Sequence, residues 1–128
     1  MDGRYVFRAT VRLEAVDETV SIAPESAETT VTLFREAPKP GSHGWLFFRD
    51  TLWRGEVADH EYACALAEDW LGEPVESVSF RELQMDTAYR EAFGEAIADD
   101  LEAFNAESVS EVLSKYLGSS IRVESSLD

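Results

Sequence analysis

The sequence contains few residues of the kinds that form cross-links, metal sites and membrane spans. It has one cysteine, Cys64, so no disulfide can form within the chain, and a structural zinc site would lack its usual thiolates. Its longest strongly apolar run, residues 45–48, is far shorter than the ~20 residues that span a bilayer. No apolar segment follows Met1, so we expect no secretory signal, no membrane association and a cytoplasmic location.

Basic residues, and lysines above all, are also scarce. The chain has 11 Lys and Arg against 26 Asp and Glu, which gives a formal net charge of −15, and its only lysines are Lys39 and Lys115. At ordinary ionic strength these charges repel one another and oppose compaction. In molar salt the Debye length falls to about 3 Å, and the repulsion is largely screened. The composition is therefore typical of a protein that works in concentrated salt.

The acidic charge is unevenly distributed along the chain. Residues 1–56 contain seven basic and nine acidic side chains, a net of −2, whereas residues 57–128 contain four and seventeen, a net of −13. Hydrophobic residues make up 45% of the 128 positions, which is enough to form the core of one domain. We therefore expect a single folded domain with one side much less acidic than the other.

Alternation of apolar and polar residues predicts the strands. Over residues 5–13 every second side chain is apolar and lies on one face, and the other face carries Arg8 and Arg12, with Arg4 just before the segment, as in a strand half buried in a sheet. Residues 45–54 are apolar on both faces, which predicts a central strand, joined as a hairpin to the preceding strand by a turn at residues 38–44. Residues 15–28 are predicted to form a loop. The predicted strands cover residues 5–13, 29–35, 45–54, 75–84 and 120–123.

Apolar residues at helical spacing predict three helices. The first, at residues 59–71, ends before a C-cap at Gly72. The second follows an N-cap at Asp86, and its apolar stripe continues to Phe104. The third opens with a capping box at residues 108–111. The order of elements favours an α+β domain in which a mainly antiparallel sheet of about four to five strands packs against about three helices.

The most distinctive segment, residues 46–56, centres on the tripeptide Leu52-Trp53-Arg54. In this tripeptide, in its length and in its acidic, lysine-poor composition, the chain resembles the haloarchaeal LWR-salt proteins. The resemblance implies a protein of halophilic archaea, in keeping with the charge argument. It implies no activity and no catalytic residues.

Arg54 is a candidate anion ligand. It is predicted to lie a few residues before a helix N-terminus, where unpaired N–H groups favour anions. With Arg49 or His60 as a second donor and Trp53 as a stacking surface, it would hold a phosphate or carboxylate. Three acidic residues crowd the same helix start, so the alternative is structural: Trp53 fills the core, and Arg54 pairs with neighbouring carboxylates.

Other patterns indicate little chemistry. His60 and Cys64 are four residues apart, a spacing found in helical metal sites, but a helical Cys flanked by alanines is more typical of a core. A thiol in so acidic a helix is a poor nucleophile because its thiolate is disfavoured. We therefore predict no catalytic residues, no metal and no cofactor.

The leading hypothesis is a non-enzymatic binding or interaction module whose contact surface is the less acidic β-side. Its residues are Arg4, Arg8 and Arg12, and its partner is another protein or a second copy of the chain. Nucleic acid is disfavoured because arginine–phosphate contacts weaken steeply as salt rises. The alternative is an anion or small-metabolite site, enzymatic or not, around Arg54, Arg49 and His60. A third hypothesis is a structural subunit of a larger assembly.

Overall fold

A computed structural model of the chain describes residues 1–13, 19 and 27–125, and confirms the predicted α+β fold. The loop predicted at residues 15–28 lies mostly outside the described residues. In chain order the described elements are β1 (Gly3–Leu13), β2 (Ala27–Glu36), α1 (Phe47–Thr51), β3 (Leu52–Trp53), β4 (Glu56–Val57), α2 (His60–Leu71), β5 (Val75–Asp86), α3 (Thr87–Ala98), a 3-10 helix (Leu101–Phe104), α4 (Val109–Tyr116) and β6 (Ile121–Glu124).

The main sheet has the strand order β2-β1-β5-β6. β1 pairs with β2 and β5 in antiparallel fashion, and β6 adds to β5 in parallel, so the sheet is mainly antiparallel, as predicted. The helices pack on the face where β1 buries Tyr5, Phe7, Ala9 and Val11. No helix that the structure describes packs on the opposite face, which we call the open face. β3 and β4 form a separate small hairpin.

Two β-bulges explain why β5 does not alternate strictly. Its register against β1 shifts by one residue at Arg81 and again at Glu76. Each shift inserts an extra residue, so buried positions follow one another at intervals of three and two residues. The buried apolar residues of β5 are Val75, Val78, Phe80, Leu83 and Met85. The bulges thus keep one continuous apolar face toward the helices.

The strand predicted at residues 45–54 is wrong. Residues 47–51 form helix α1, and the turn at residues 38–44 leads into that helix instead of closing a hairpin with β2. The apolar residues of this segment, at 45–48 and 52–53, fit period-two alternation and helical spacing equally well. The helical spacing is the one that the structure uses, because Trp45, Phe48 and Leu52 are buried at i, i+3 and i+7.

The three predicted helices are confirmed, as are the predicted N-caps at Asp86 and Ser108 and the C-cap at Gly72. The side chains of Asp59, Asp86 and Ser108 each accept a backbone N–H from the first turn of the following helix. The second helix is shorter than predicted because it ends at the poor helix formers Asp99 and Asp100. The last two residues of its predicted apolar stripe, Leu101 and Phe104, belong to the 3-10 helix that follows. Among the described residues, no helix combines the length and apolar character needed to span a bilayer.

Aromatic rings fill the space between α1 and the C-terminal helices. Phe48 is 0% exposed, and its ring centroid lies 4.9 Å from that of Phe93 and 5.6 Å from that of Phe104. Trp45 and Tyr116 complete the cluster around it. Burial of a Phe side chain stabilises a fold by roughly 1.5–3 kcal/mol. This cluster therefore anchors the short helix α1, which is too short to be stable alone.

The carboxylate of Asp86 joins the start of the chain to helix α3. Its two oxygens accept the backbone N–H of Tyr89 and of Asp2, each at 2.8 Å. The Tyr89 N–H is the largest cause that lowers the pKa of Asp86, and the Asp2 N–H lowers it further against the opposing effect of burial. A lowered pKa means that the ionised form stabilises the fold.

This stabilisation should be lost in acid. We expect it to be complete at neutral pH and to disappear as the pH falls below about 4, through the lowered pKa of the folded state. Asp86→Asn keeps a capping oxygen but has no charge to titrate. Thermal unfolding of both proteins at neutral and acid pH should show a difference in melting temperature that shrinks in acid. A difference that is the same at every pH would contradict this assignment.

Candidate functional site

The open face of the sheet has a central band without carboxylates. Arg8 of β1 lies between Thr32 of β2 and Ser79 of β5, and the next row along the strands is Thr10, between Thr30 and Ser77. All of these side chains are exposed except Thr10, which is half-buried. We call these six residues the central band. In a chain with a net charge of −15, a patch of hydroxyl groups and one guanidinium stands out from the acidic surface around it.

The three arginines of β1 differ in what they contact. Arg4 is half-buried and donates from Nε to Oε1 of Gln84 at 2.6 Å, with its guanidinium 4.6 Å from the ring centroid of Phe34. Arg12 forms an ion pair with Glu76. Arg8 is exposed and forms no hydrogen bond or ion pair with any residue that the structure describes. Arg8 is therefore the arginine of this row whose donors are available to a partner.

The Arg12 end of the open face carries close carboxylates. Glu28 lies opposite Arg12 in the β1–β2 register. The side chain of Glu76 raises the pKa of Glu28, first through a hydrogen bond that favours the protonated form and then through charge repulsion, while Arg12 opposes the rise. At this end of the face Arg12 is thus already engaged by carboxylates, which leaves the central band as the most distinctive part of the face.

The Leu-Trp-Arg tripeptide lies in and beside a tight turn. β3 and β4 are joined by the two residues Arg54 and Gly55, which have φ values of 53° and 82°. Two consecutive positive φ angles are typical of a type I′ hairpin turn. The N–H of Arg54 donates to the carbonyl of Lys115 at 2.8 Å, and that of Gly55 to the carbonyl of Tyr116 at 3.0 Å. These carbonyls end helix α4 and have no partner within it, so the turn caps that helix.

Two glycines allow this close docking. A Cβ on Gly55 would lie 3.0 Å from the carbonyl oxygen of Leu117. A Cβ on Gly118 would lie 3.2 Å from the carbonyl oxygen of Arg54. Both glycines also have positive φ. Side chains at either position would push the turn away from α4.

The three side chains of the tripeptide have different surroundings. Leu52 is buried in the core, whereas Trp53 is 44% exposed, so Leu52, not Trp53, is the core residue of the tripeptide. The Trp53 ring packs edge-on against Tyr116, with centroids 5.8 Å apart. The guanidinium of Arg54 lies 5.7 Å from the Trp53 centroid and forms no ion pair within the described part of the chain. The predicted pairing of Arg54 with local carboxylates is therefore absent from these residues.

The four residues of the predicted anion site do not converge. Trp53 and Arg54 border an open depression of about 550 Å³ on α4, whose remaining lining residues are Glu111, Ser114 and Lys115. Arg49 pairs instead with Asp50 at 3.0 Å and donates to the carbonyl of Ala103. His60 contacts Cys64, with 3.7 Å between Nε2 and Sγ. Neither Arg49 nor His60 lines the depression.

Lys115 is the basic residue of this depression that sequence reasoning missed. It belongs to the last turn of α4, about sixty residues from Arg54, and only the docking of the turn brings the two together. Its ammonium donates to the carbonyl of Phe104 at 2.9 Å. Its rarity, as one of two lysines, was the only available signal.

Cys64 does not have the surroundings of a nucleophile. Burial raises the pKa of its thiol, and the negative charge of Glu68 raises it further. A raised pKa lowers the fraction of reactive thiolate at neutral pH. Within the described residues, no three His, Cys, Asp or Glu side chains come together as a metal site.

Comparison with known proteins gives one match. A family model described as "LWR-salt protein" matches residues 1–127, nearly the whole chain. Searches of the curated proteins and of the solved structures found no match.

The left-handed backbone of Arg54 should cost stability. A residue with a Cβ in this conformation is less stable by roughly 1–2 kcal/mol, and Asn tolerates it best among residues other than Gly. We therefore expect Arg54→Asn to raise the free energy of unfolding by about 1 kcal/mol, measured by denaturant titration. Arg54→Ala, which keeps the strain and loses the contact with Trp53, should give no gain. A loss of stability in the Asn variant would show that the Arg54–Trp53 contact outweighs the strain.

Proposed function

The chain belongs to the LWR-salt protein family, and we propose that it is a non-enzymatic interaction module of a halophilic cytoplasm. In this proposal the open sheet face binds a protein partner whose contacting surface is acidic. The central band provides the contact, and Arg8 is its anchor. The observation that carries the proposal is the exposure of Arg8 in a carboxylate-free band, without a partner among the described residues.

The charge distribution supports a contact role for this face. Exposed carboxylates keep an acidic protein soluble, and a surface that meets a partner does not need them. A band of Thr, Ser and Arg on an otherwise acidic chain is consistent with such a surface. Because the helices pack on the other face, no packing role within the described fold accounts for these residues.

The chemistry of the band favours carboxylates as the group that is bound. In molar salt, charges attract only at contact distance, so recognition depends on short hydrogen bonds. Arg8 offers a planar fork that matches a carboxylate with two parallel hydrogen bonds, and the hydroxyls of Thr32 and Ser79 flank it as further donors. An acidic protein surface supplies several carboxylates at once. Nucleic acid is disfavoured because salt weakens phosphate contacts steeply.

The alternative, an anion or metabolite site around Arg54, has less support. Its second donors, Arg49 and His60, have other contacts and do not border the depression beside Arg54. Glu111 does border it, and its negative charge opposes an anion there. The depression is also open, and enclosed pockets are the usual form of metabolite sites.

Substitution of Arg8 tests the proposal. A tagged chain is used to capture proteins from native lysate in molar KCl, and each captured partner is then purified and its affinity measured. We expect Arg8→Gln to weaken binding of an acidic partner about tenfold, since it removes a bidentate ion pair. Melting should not change, because Arg8 has no described contact to lose. Arg90→Gln on α3 removes the same charge from the helical side and serves as the matched control.

Two results would contradict the proposal. One is a partner that binds the wild type, the Arg8 variant and the Arg90 variant with equal affinity. The other is a chain that binds only further copies of itself, which light scattering in the same buffer would detect as an oligomer. In that case the open face would be a self-association surface.

A further inference from the structure

A cavity lies on the helical side of the sheet, away from the central band. There β1 and β2 meet helices α1 and α2 around a cavity of about 280 Å³. The cavity is smaller and more enclosed than the depression beside Arg54. Four of its lining residues are aromatic, and a basic and an acidic residue border it as well. These six residues are Tyr5, Phe47, Tyr62, Trp70, Arg35 and Glu36.

We propose that this cavity binds a small quaternary ammonium cation. Aromatic faces carry negative potential, and cages of aromatic rings recognise cations whose charge is covered by methyl groups. Such a cation loses little hydration on entering the cavity, and its methyl groups gain from apolar burial. The proposal is independent of the proposed protein partner, because none of its six residues belongs to the central band.

The rings of Tyr5, Phe47 and Trp70 line the cavity and do not stack face to face on one another. Phe47 lies edge-on to Tyr5, with centroids 4.8 Å apart and planes at 64°. Phe47 and Trp70 are 6.3 Å apart with planes at 47°. Tyr62 is 52% exposed and makes no ring contact with any residue that the structure describes, so its ring is available to a ligand.

The protein already presents a cation to one of these walls. The guanidinium of Arg35 lies 5.1 Å from the ring centroid of Trp70, within the range of a cation–π contact. Arg35 also lines the cavity, so the folded chain already places a cation at the edge of this cavity. A bound quaternary ammonium ion would therefore compete with Arg35 for the face of Trp70.

Titration with tetramethylammonium chloride tests the site. The salt replaces KCl so that the chloride concentration stays constant, and binding is followed by tryptophan fluorescence and by saturation transfer to the methyl protons. We expect saturable binding that Tyr62→Leu weakens about fivefold and Tyr62→Phe changes by less than about twofold, because only the first removes an aromatic wall. Tyr62 is exposed, so both variants should fold.

Two further measurements separate a cation site from a merely apolar cavity. tert-Butanol has nearly the same shape as tetramethylammonium and no charge, and it should not saturate the site. Arg35→Gln removes the competing guanidinium and should tighten tetramethylammonium binding about twofold to fivefold. Any of three results would overturn the proposal. tert-Butanol could bind as tightly as tetramethylammonium, or Tyr62→Leu could bind tetramethylammonium as tightly as the wild type does. The third is an Arg35→Gln variant that has an unchanged melting temperature and binds tetramethylammonium more weakly.

Discussion

Mutual repulsion among carboxylates is the constraint that the rest of this fold has to satisfy. The chain carries 26 acidic and 11 basic side chains, and few of the carboxylates are neutralised by ion pairs that the structure describes, such as Arg49–Asp50 and Arg122–Glu124. The attraction that holds the fold together is instead apolar. It comes from the aromatic cluster around Phe48 and from the continuous face that two bulges preserve in β5. Repulsion at the surface is left to dissolved counter-ions.

Because carboxylates dominate the surface of this chain, the regions that lack them are the candidates for recognition. The open sheet face has a hydroxyl-rich band around Arg8, and the helical side has an aromatic cavity bordered by Arg35. The tripeptide of the family name has a structural role of its own, since Leu52 is buried and the turn at Arg54 ends helix α4. The sites of recognition are therefore best sought outside the tripeptide.

Local signals in the sequence predicted most of the elements, and tertiary contacts account for the errors. The caps at Asp86 and Ser108 were predicted because an N-cap depends only on residues within the first helical turn. Residues 45–54 were misassigned because the apolar residues of this segment fit both periods, and burial against the aromatic cluster decides between them. The contact between the turn and Lys115 joins distant parts of the chain and left no local pattern.

The dependence of stability on salt tests this account most directly. Thermal unfolding at neutral pH should be measured in KCl from about 0.1 M, where the Debye length is about 10 Å, to beyond about 1 M, where it is about 3 Å. The account predicts a midpoint that rises steeply over this range and then levels off. A midpoint that is the same in dilute buffer and in molar KCl would contradict it.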